Sequence, residues 1–377
     1  MSYLKYILIL LLLTEVSFSQ TIRFNNTYSP FTYQDAHSVY EYEDGYIMLG
    51  GGIDVAEPGQ KIKIVIYYVD SIGDEIWMKT YGDTVHNFYY GMRNSLIKGT
   101  NFFSLVGSRS DVSNTTCYLM KFDNNLDTLW TKYYFDNPDF TVFYNHIQTD
   151  DNGYALVGCN AESDPDGDVL FVKTDSNGNM EWYQKYGTSA TDYGFCIVQT
   201  PDNGYLIGGT SKGLGGSGDG YLIKTDSLGN EEWTEHYGNP LYPDGSIYNI
   251  IKTTDNGYVF ALTTYVISEI SSSFYNRKYN IIKLDSSFNE QWNYQYGVLG
   301  EHTNIASIIE ADNGDLVATI QDDYVCGLFR LTADGDSIWK RYLVPTGLTA
   351  DDNGLLSLKQ TGDGGFILAG VATSPQQ

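Results

Sequence analysis

Basic residues are scarce in this chain: 22 Lys and Arg stand against 47 Asp and Glu, a formal net charge of −25. That balance excludes nucleic acid as a partner, because phosphates are held by Lys and Arg, and it argues against docking on anionic lipid. The acidic residues fall in scattered turn-like clusters rather than runs, the pattern of a well-hydrated surface. Cysteine is sparse too. Cys117, Cys159, Cys196 and Cys326 are too few for a disulfide framework in 377 residues, and no pair has zinc-ligand spacing. Each lies in or beside an apolar run, as buried small hydrophobes do, although a single bridge between neighbouring segments stays open. His37, His86, His146, His236 and His302 form no pair at metal-binding spacing, so no metal site is expected. Apolar runs near twenty residues are missing, which excludes a comfortable membrane span. Sustained helical periodicity is missing as well.

What is present begins with "MSYLKYILILLLLTEVSFSQ". Lys5 gives a positive start, Tyr6 to Leu13 an apolar stretch, and Ser17-Phe18-Ser19 a small-x-small cleavage pattern. Residues 1–19 therefore read as a signal peptide and 20–377 as one domain. No Cys sits at the cleavage point, so a lipid anchor is not expected. The protein is expected to be exported, either secreted or held at the cell surface.

The rest is a repeat. Trp77, Trp130, Trp182, Trp233, Trp292 and Trp339 are 53, 52, 51, 59 and 47 residues apart, and they are all the Trp in the chain. Seven residues before five of them stands Asp70, Asp123, Asp175, Asp226 or Asp285; the sixth copy has Thr332. Four residues after five of them stands Tyr81, Tyr134, Tyr186, Tyr237 or Tyr296. A second landmark, Asp-x-Gly-aromatic, recurs at Gly45, Gly153, Gly204, Gly257 and Gly365, with weaker copies at Gly99 and Gly314. Each unit reads as four short strands, "YGFCIVQT", "YLIGGTS", "GYLIKTD" and "EEWTEHY", rich in β-branched and aromatic residues and joined by Gly-bearing turns. A four-stranded unit repeated six or seven times predicts an all-β fold, a β-propeller with seven blades. The Trp is expected to fill the contact between neighbouring blades, because a blade cannot bury its faces alone.

The ends predict how the ring closes. Phe24 and Tyr28 have the four-residue separation of Trp77 and Tyr81, so residues 22–28 read as an orphan fourth strand. Residues 353–373 supply only two strands of a last unit. Six complete repeats plus a split last blade, latched by the N-terminal strand, would hide an edge. One strand, the third of that blade, is then missing. The expectation is a truncated chain whose polypeptide continues past residue 377.

On these motifs the chain resembles the propeller-like repeats of secreted Bacteroidetes proteins, whose units read like "DGGYILAGxT…YLIKTDSxGNxxWxxxYG". The resemblance spans residues 22–373. It implies export by the type IX pathway and a surface or extracellular protein, and it implies no defined reaction. A weaker similarity is to quinoprotein-type propeller repeats, but "TDSLGNEEW" lacks their Thr-Gly pair.

Motifs for chemistry are thin. "GTSKG" at 209–213 matches Gly-x-Ser-x-Gly but lies between strands, so Ser211 is not expected to be a nucleophile. "GLGGSG" at 213–218 precedes a strand rather than a helix, so it reads as a flexible loop. "DPDGD" at 164–168 lacks the EF-hand register, leaving weak calcium binding at most and no cofactor. Loop lengths are more informative. The turns inside hairpins are nearly constant, whereas the loops between second and third strands and between blades vary, and in a propeller these share one face. That face carries Tyr89, Tyr90, Phe140, Tyr144, Tyr193 and Tyr242 beside Asp139, Asp192 and Asp244. Aromatic platforms beside carboxylates suit sugars. The expectation is a monomeric, non-catalytic binding or scaffold module for a glycan or protein ligand. The alternatives are a polysaccharide-active hydrolase of the endoglucanase kind, using paired Asp, or a quinoprotein-like enzyme.

Overall fold

A computed structural model describes residues 6–14, 21–28, 34–53, 60–111, 114–135, 140–160, 167–188, 191–212, 218–238, 245–268, 271–296, 303–322, 325–343 and 354–373. Every helix or strand among them is a strand. They form seven antiparallel sheets, an all-β fold of the β-propeller class. Two compact units divide the chain: residues 1–94 with 306–377, and residues 95–305.

In the second unit, blade 2 contains Leu96–Lys98, Phe103–Ser110, Thr115–Phe122 and Thr128–Tyr134, and blade 3 runs Thr141–Gln148, Tyr154–Asn160, Asp168–Thr174 and Met180–Tyr186. Blade 4 is Asp192–Gln199, Tyr205–Ser211, Asp219–Thr225 and Glu231–Tyr237; blade 5 is Gly245–Lys252, Tyr258–Ser268, Ser271–Leu284 and Glu290–Tyr296. Successive blades share apolar clusters, Leu119 and Phe143 between blades 2 and 3, Phe171 and Ile207 between 3 and 4, and Leu222 and Phe260 between 4 and 5.

The first unit holds blade 1, Gln34–Tyr42, Gly45–Ile53, Ile62–Asp70 and Glu75–Tyr81, and, from residue 306 on, blade 6, Thr303–Glu310, Leu316–Asp322, Val325–Leu331 and Ser337–Leu343. Its last sheet, blade 7, is assembled from both ends of the chain: Gly354–Gln360, Phe366–Thr373, then Tyr6–Thr14, then Thr21–Tyr28. The expected latch is present at Thr21–Tyr28. The third strand, which the repeat count leaves missing, is Tyr6–Thr14, paired antiparallel with Phe366–Thr373 from Tyr6↔Thr373 to Leu13↔Phe366. This corrects the reading of that slot as empty. An apolar run of this length has one composition whether it is a leader or a buried strand, so its place in the sheet cannot be read from pattern. It differs from its counterparts in one respect. Leu12 stands at the register position held by Lys173 and Lys224 in blades 3 and 4.

The repeated Trp and Tyr act on the next blade's reverse turn. In "DSNGN", Asp175 Oδ1 accepts the N–H groups of Asn177 and Asn179 at 2.9 and 2.8 Å, and Gly178 sits at φ +75°. Trp130 of the preceding blade lies under that turn; a methyl on Gly178 would meet its ring at 2.8 Å. Tyr134 Oη donates to Gly178 O at 2.7 Å. Trp182 and Tyr186 treat Gly229 the same way, at 2.6 Å in each case. Tyr28 Oη donates to Gly73 O, so the latch strand uses its Tyr as the others do. Where blade 5 has Phe288 at the left-handed position, φ 65°, Trp233 meets its ring edge-on at 5.3 Å and Tyr258 stacks on it at 5.2 Å.

A second link joins the two hairpin turns within a blade. Lys224, 1% exposed, extends Nζ to Asp202 of the "PDNG" turn at 2.9 Å, to Glu232 at 2.8 Å and to Thr225 O at 2.8 Å. Lys173 contacts Asp151, Glu181 and Thr174 O in the same way, and Lys283 contacts Asp255. In blade 6, Arg330 reaches Asp315 at 2.8 Å. Partial burial pushes these Asp carboxyls up, but hydrogen bonds from the Lys, a Thr hydroxyl and a Gly N–H, together with the Lys charge, outweigh it and hold Asp151, Asp202 and Asp255 down to about 2. A carboxyl depressed in the folded state contributes stability above its unfolded pKa and loses it as pH falls through the folded one. The unfolding midpoint is therefore expected to drop between about pH 4 and about pH 2. Thermal unfolding across that range checks it: the D151N/D202N/D255N protein should show a flatter pH slope from a lower plateau.

Candidate functional site

The first strand of a blade carries a β-bulge that leaves one residue unpaired and turns it out of the ladder. The residues so placed are His37, Tyr144, Phe195, Tyr248 and Leu356, at the register breaks Ala36/Ser38, Phe143/Asn145, Gly194/Cys196, Ile247/Asn249 and Leu355/Ser357. Four of the five are aromatic.

In the first unit this device builds a cavity of about 370 Å³, lined by Asp35, His37, Ile53, Tyr89, Tyr90 and Met92 among others. Asp35 is fixed from three sides: Oδ1 accepts the Gly51 N–H at 3.2 Å and the Tyr90 hydroxyl, and Oδ2 lies 3.3 Å from His37 Nε2. Burial pushes the Asp35 carboxyl up, yet the hydrogen bond and charge of His37, with Tyr90 and Gly51, hold it below its ordinary value. The carboxylate is therefore ionised at neutral pH. The His37 and Tyr90 rings meet at 4.8 Å. His37 Nδ1 is buried and has no hydrogen-bond partner among the described residues. Behind the bulge, Asn94 at φ +58° donates its N–H to His37 O at 2.7 Å and its Nδ2 to Ser307 Oγ at 3.3 Å, while its Oδ1 accepts from Ser357 Oγ at 2.7 Å. One residue, through its backbone N–H and its side-chain amide, thus ties the first strands of three blades.

In the second unit the bulge residues form a ladder. Tyr144 meets Phe195 at 5.4 Å, Phe195 stacks on Tyr248 at 4.9 Å, and Tyr193 stacks on Phe195 at 5.8 Å.

Of the residues expected on the loop face, Tyr89 and Tyr90 meet in the cavity, and Tyr144 and Tyr193 meet in the ladder at 6.3 Å. Phe140 is exposed. Asp192 is fully buried, away from solvent. Asp139, Tyr242, Asp244 and His302 lie outside the described residues, as do Asp164 to Asp166. Trp77, Trp130, Trp182, Trp233, Trp292 and Trp339 are half-buried on fourth strands. Ser211 ends a strand and is 1% exposed. His86 is held by Asp83 at 2.8 Å, and burial pushes His146, against Ser104, down to about 3. The four Cys are buried free thiols. Among the described residues no three His, Cys, Asp or Glu side chains converge as a metal set, and no helix is long and apolar enough to cross a membrane. Asp35 and His37 were not singled out by sequence; the available signal was a His in the column that holds Tyr144, Phe195 and Tyr248 in other blades.

No family model matches the chain, and no curated protein matches it. Among solved structures, a protein from Lactobacillus plantarum is similar at 11% identity and a TM-score of 0.47, covering 91% of this chain and 95% of that one. The WD40 domain of Toxoplasma gondii coronin is similar at 9% identity and a TM-score of 0.47, covering 91% and 88%. The Bombyx mori GH32 β-fructofuranosidase is similar at 8% identity and 0.37, covering 90% and 89%.

Asp35→Asn removes a buried charge that three groups point at. It is expected to lower unfolding stability by about 1–3 kcal/mol in urea, with Tyr90→Phe costing about 1 kcal/mol.

Proposed function

We propose that this chain is an exported binding module, acting outside the cell or at its surface, that holds a glycan in the Asp35–His37–Tyr90 cavity without cleaving it. The cavity carries the reading. Sugars present apolar ring faces beside hydroxyls, and this recess sets aromatic and aliphatic walls beside a small number of fixed polar groups, as ligand sites do. Tyr89, 40% exposed, offers a ring at the mouth. His37 Nδ1 offers a partner for one hydroxyl. Asp35 is ionised and already engaged by Gly51, Tyr90 and His37, so it suits orientation rather than proton donation. Hydrolysis of a glycosidic bond uses two carboxyl groups at a set separation, and among the described residues Asp35 is the one carboxylate in this lining.

Export is supported by the leader pattern of residues 1–19. Cleavage after Ser19 would take Tyr6–Thr14 with it, so Thr21–Tyr28 and Phe366–Thr373 would lose the strand between them. The intact mass of the secreted protein reports whether blade 7 keeps that strand.

Calorimetry of the exported protein against a panel of oligosaccharides tests the binding. At least one class should bind intact, and Tyr89→Ala should weaken it by about tenfold or more. Silence across the panel, release of cleavage products, or indifference to Tyr89→Ala contradicts the reading.

A further inference from the structure

Blade 4 contains a charged row that neither the cavity nor the ladder uses. Asp192, Ser211 and Asp219 are direct neighbours across three strands, by the pairs Asp192↔Ser211 and Ser211↔Asp219. Directly opposed residues share one face of a sheet, so the three side chains project together. They continue the rows Gly194–Gly209–Tyr221 and Ile197–Ile207–Ile223, whose apolar members pack against blade 3. The row is therefore at the end of a sealed interface.

Its polar groups are only partly satisfied. Asp192 is fully buried; its Oδ2 accepts the Thr188 N–H at 2.6 Å and the Thr188 hydroxyl at 3.3 Å, while its Oδ1 is buried with no hydrogen-bond partner among the described residues. Ser211, directly opposite and 1% exposed, likewise has a buried Oγ with no partner among the described residues. More negative charge stands close by. A methyl on Gly187 would lie 2.5 Å from Asp192 Oδ2 and 2.6 Å from Asp168 Oδ1, so two carboxylates approach one point. A buried carboxylate oxygen left unpaired is costly.

Blade 3 shows the same row without the problem. There the residues are Thr141, Asn160 and Asp168, and Asn160 Nδ2 donates to Thr141 Oγ1 at 2.7 Å. Blade 4 replaces Thr by Asp and Asn by Ser. It thereby gains a charge and loses the amide that filled the middle of the row.

We propose that the Asp192–Ser211–Asp219 row of blade 4 binds a hard divalent cation of the Ca²⁺ type, with Asp192 Oδ1 and Ser211 Oγ as ligands, Asp219 alongside and water completing the shell. Ca²⁺ takes six to eight oxygens and accepts carboxylate, hydroxyl and water together. A bridging water satisfies the two orphaned atoms but leaves the charge; a cation answers both. With few protein carboxylates in reach, the affinity belongs in the range of about 0.1–1 mM typical of extracellular modules.

The test uses the full chain at constant ionic strength, comparing EDTA with CaCl₂ and MgCl₂ up to about 10 mM, read by thermal midpoint and by Tyr-sensitised Tb³⁺ emission. Ca²⁺ is expected to raise the midpoint by a few degrees with saturation, and Tb³⁺ to give saturable emission that Ca²⁺ displaces. Ser211→Asn installs the blade 3 residue and Asp192→Asn removes the charge; both should fold and lose both responses. Identical midpoints in EDTA and Ca²⁺, or a Ca²⁺ response that survives in both variants, overturns the proposal.

Discussion

The structure depends on one repeated contact: the Trp and Tyr of a fourth strand closing on the reverse turn of the following blade. Trp182 lies against Gly229, and Tyr186 donates to the carbonyl of the same residue at 2.6 Å. Such a contact couples blades that would otherwise present an apolar face to water, since each repeat unit buries its core only against neighbours. It also explains why Trp, Tyr, Asp and Gly recur as a set. The Asp shapes the turn, the Gly permits φ +78° and lets the ring approach, and the aromatic pair grips the result. Blade 5 shows the rule under substitution. A non-Gly residue at left-handed φ costs about 1–3 kcal/mol, and Phe288 offsets this with ring contacts to Trp233 and Tyr258.

The Lys–Asp links lie one layer further in, joining turns within a blade. Lys224 is almost wholly buried yet has three oxygen partners, which is the condition under which a buried cation is tolerated. Blade 2 lacks the Asp, because "KGTNF" replaces the "DNG" turn. There Lys121 lies over Phe102 at 4.2 Å, with Tyr154 and Trp130 further off, and burial pushes its amine down. The same lysine column thus serves two chemistries, ion pair and ring face.

Much of this was legible in the sequence, and the exceptions have physical causes. Columns of Trp, Tyr, Asp and Gly at fixed spacing can mean only a repeated unit, and the Phe24–Tyr28 spacing marked the latch strand before its sheet was known. Tyr6–Thr14 was not legible as a strand, because its apolar run carries no alternation that separates a sheet interior from a leader. The Lys–Asp links were missed because "DNG" reads as a turn without reference to a lysine 22 residues later, as Asp202 stands to Lys224. At the site, Tyr89 and Tyr90 were visible as loop aromatics. Asp35 and His37 were not, since a bulge displaces one residue from the strict alternation used to assign inward and outward positions. Asp192 looked like a surface carboxylate beside Tyr193, but the sheet places it inside.

A double-mutant cycle between Trp182→Ala and Gly229→Ala measures the coupling between blades directly. If the ring holds the turn, Gly229→Ala should cost clearly less in the Trp182→Ala background, giving an interaction energy of about 1 kcal/mol or more. If the two changes add to within about 0.5 kcal/mol, the turn and the ring are independent, and the contact does not hold the blades together.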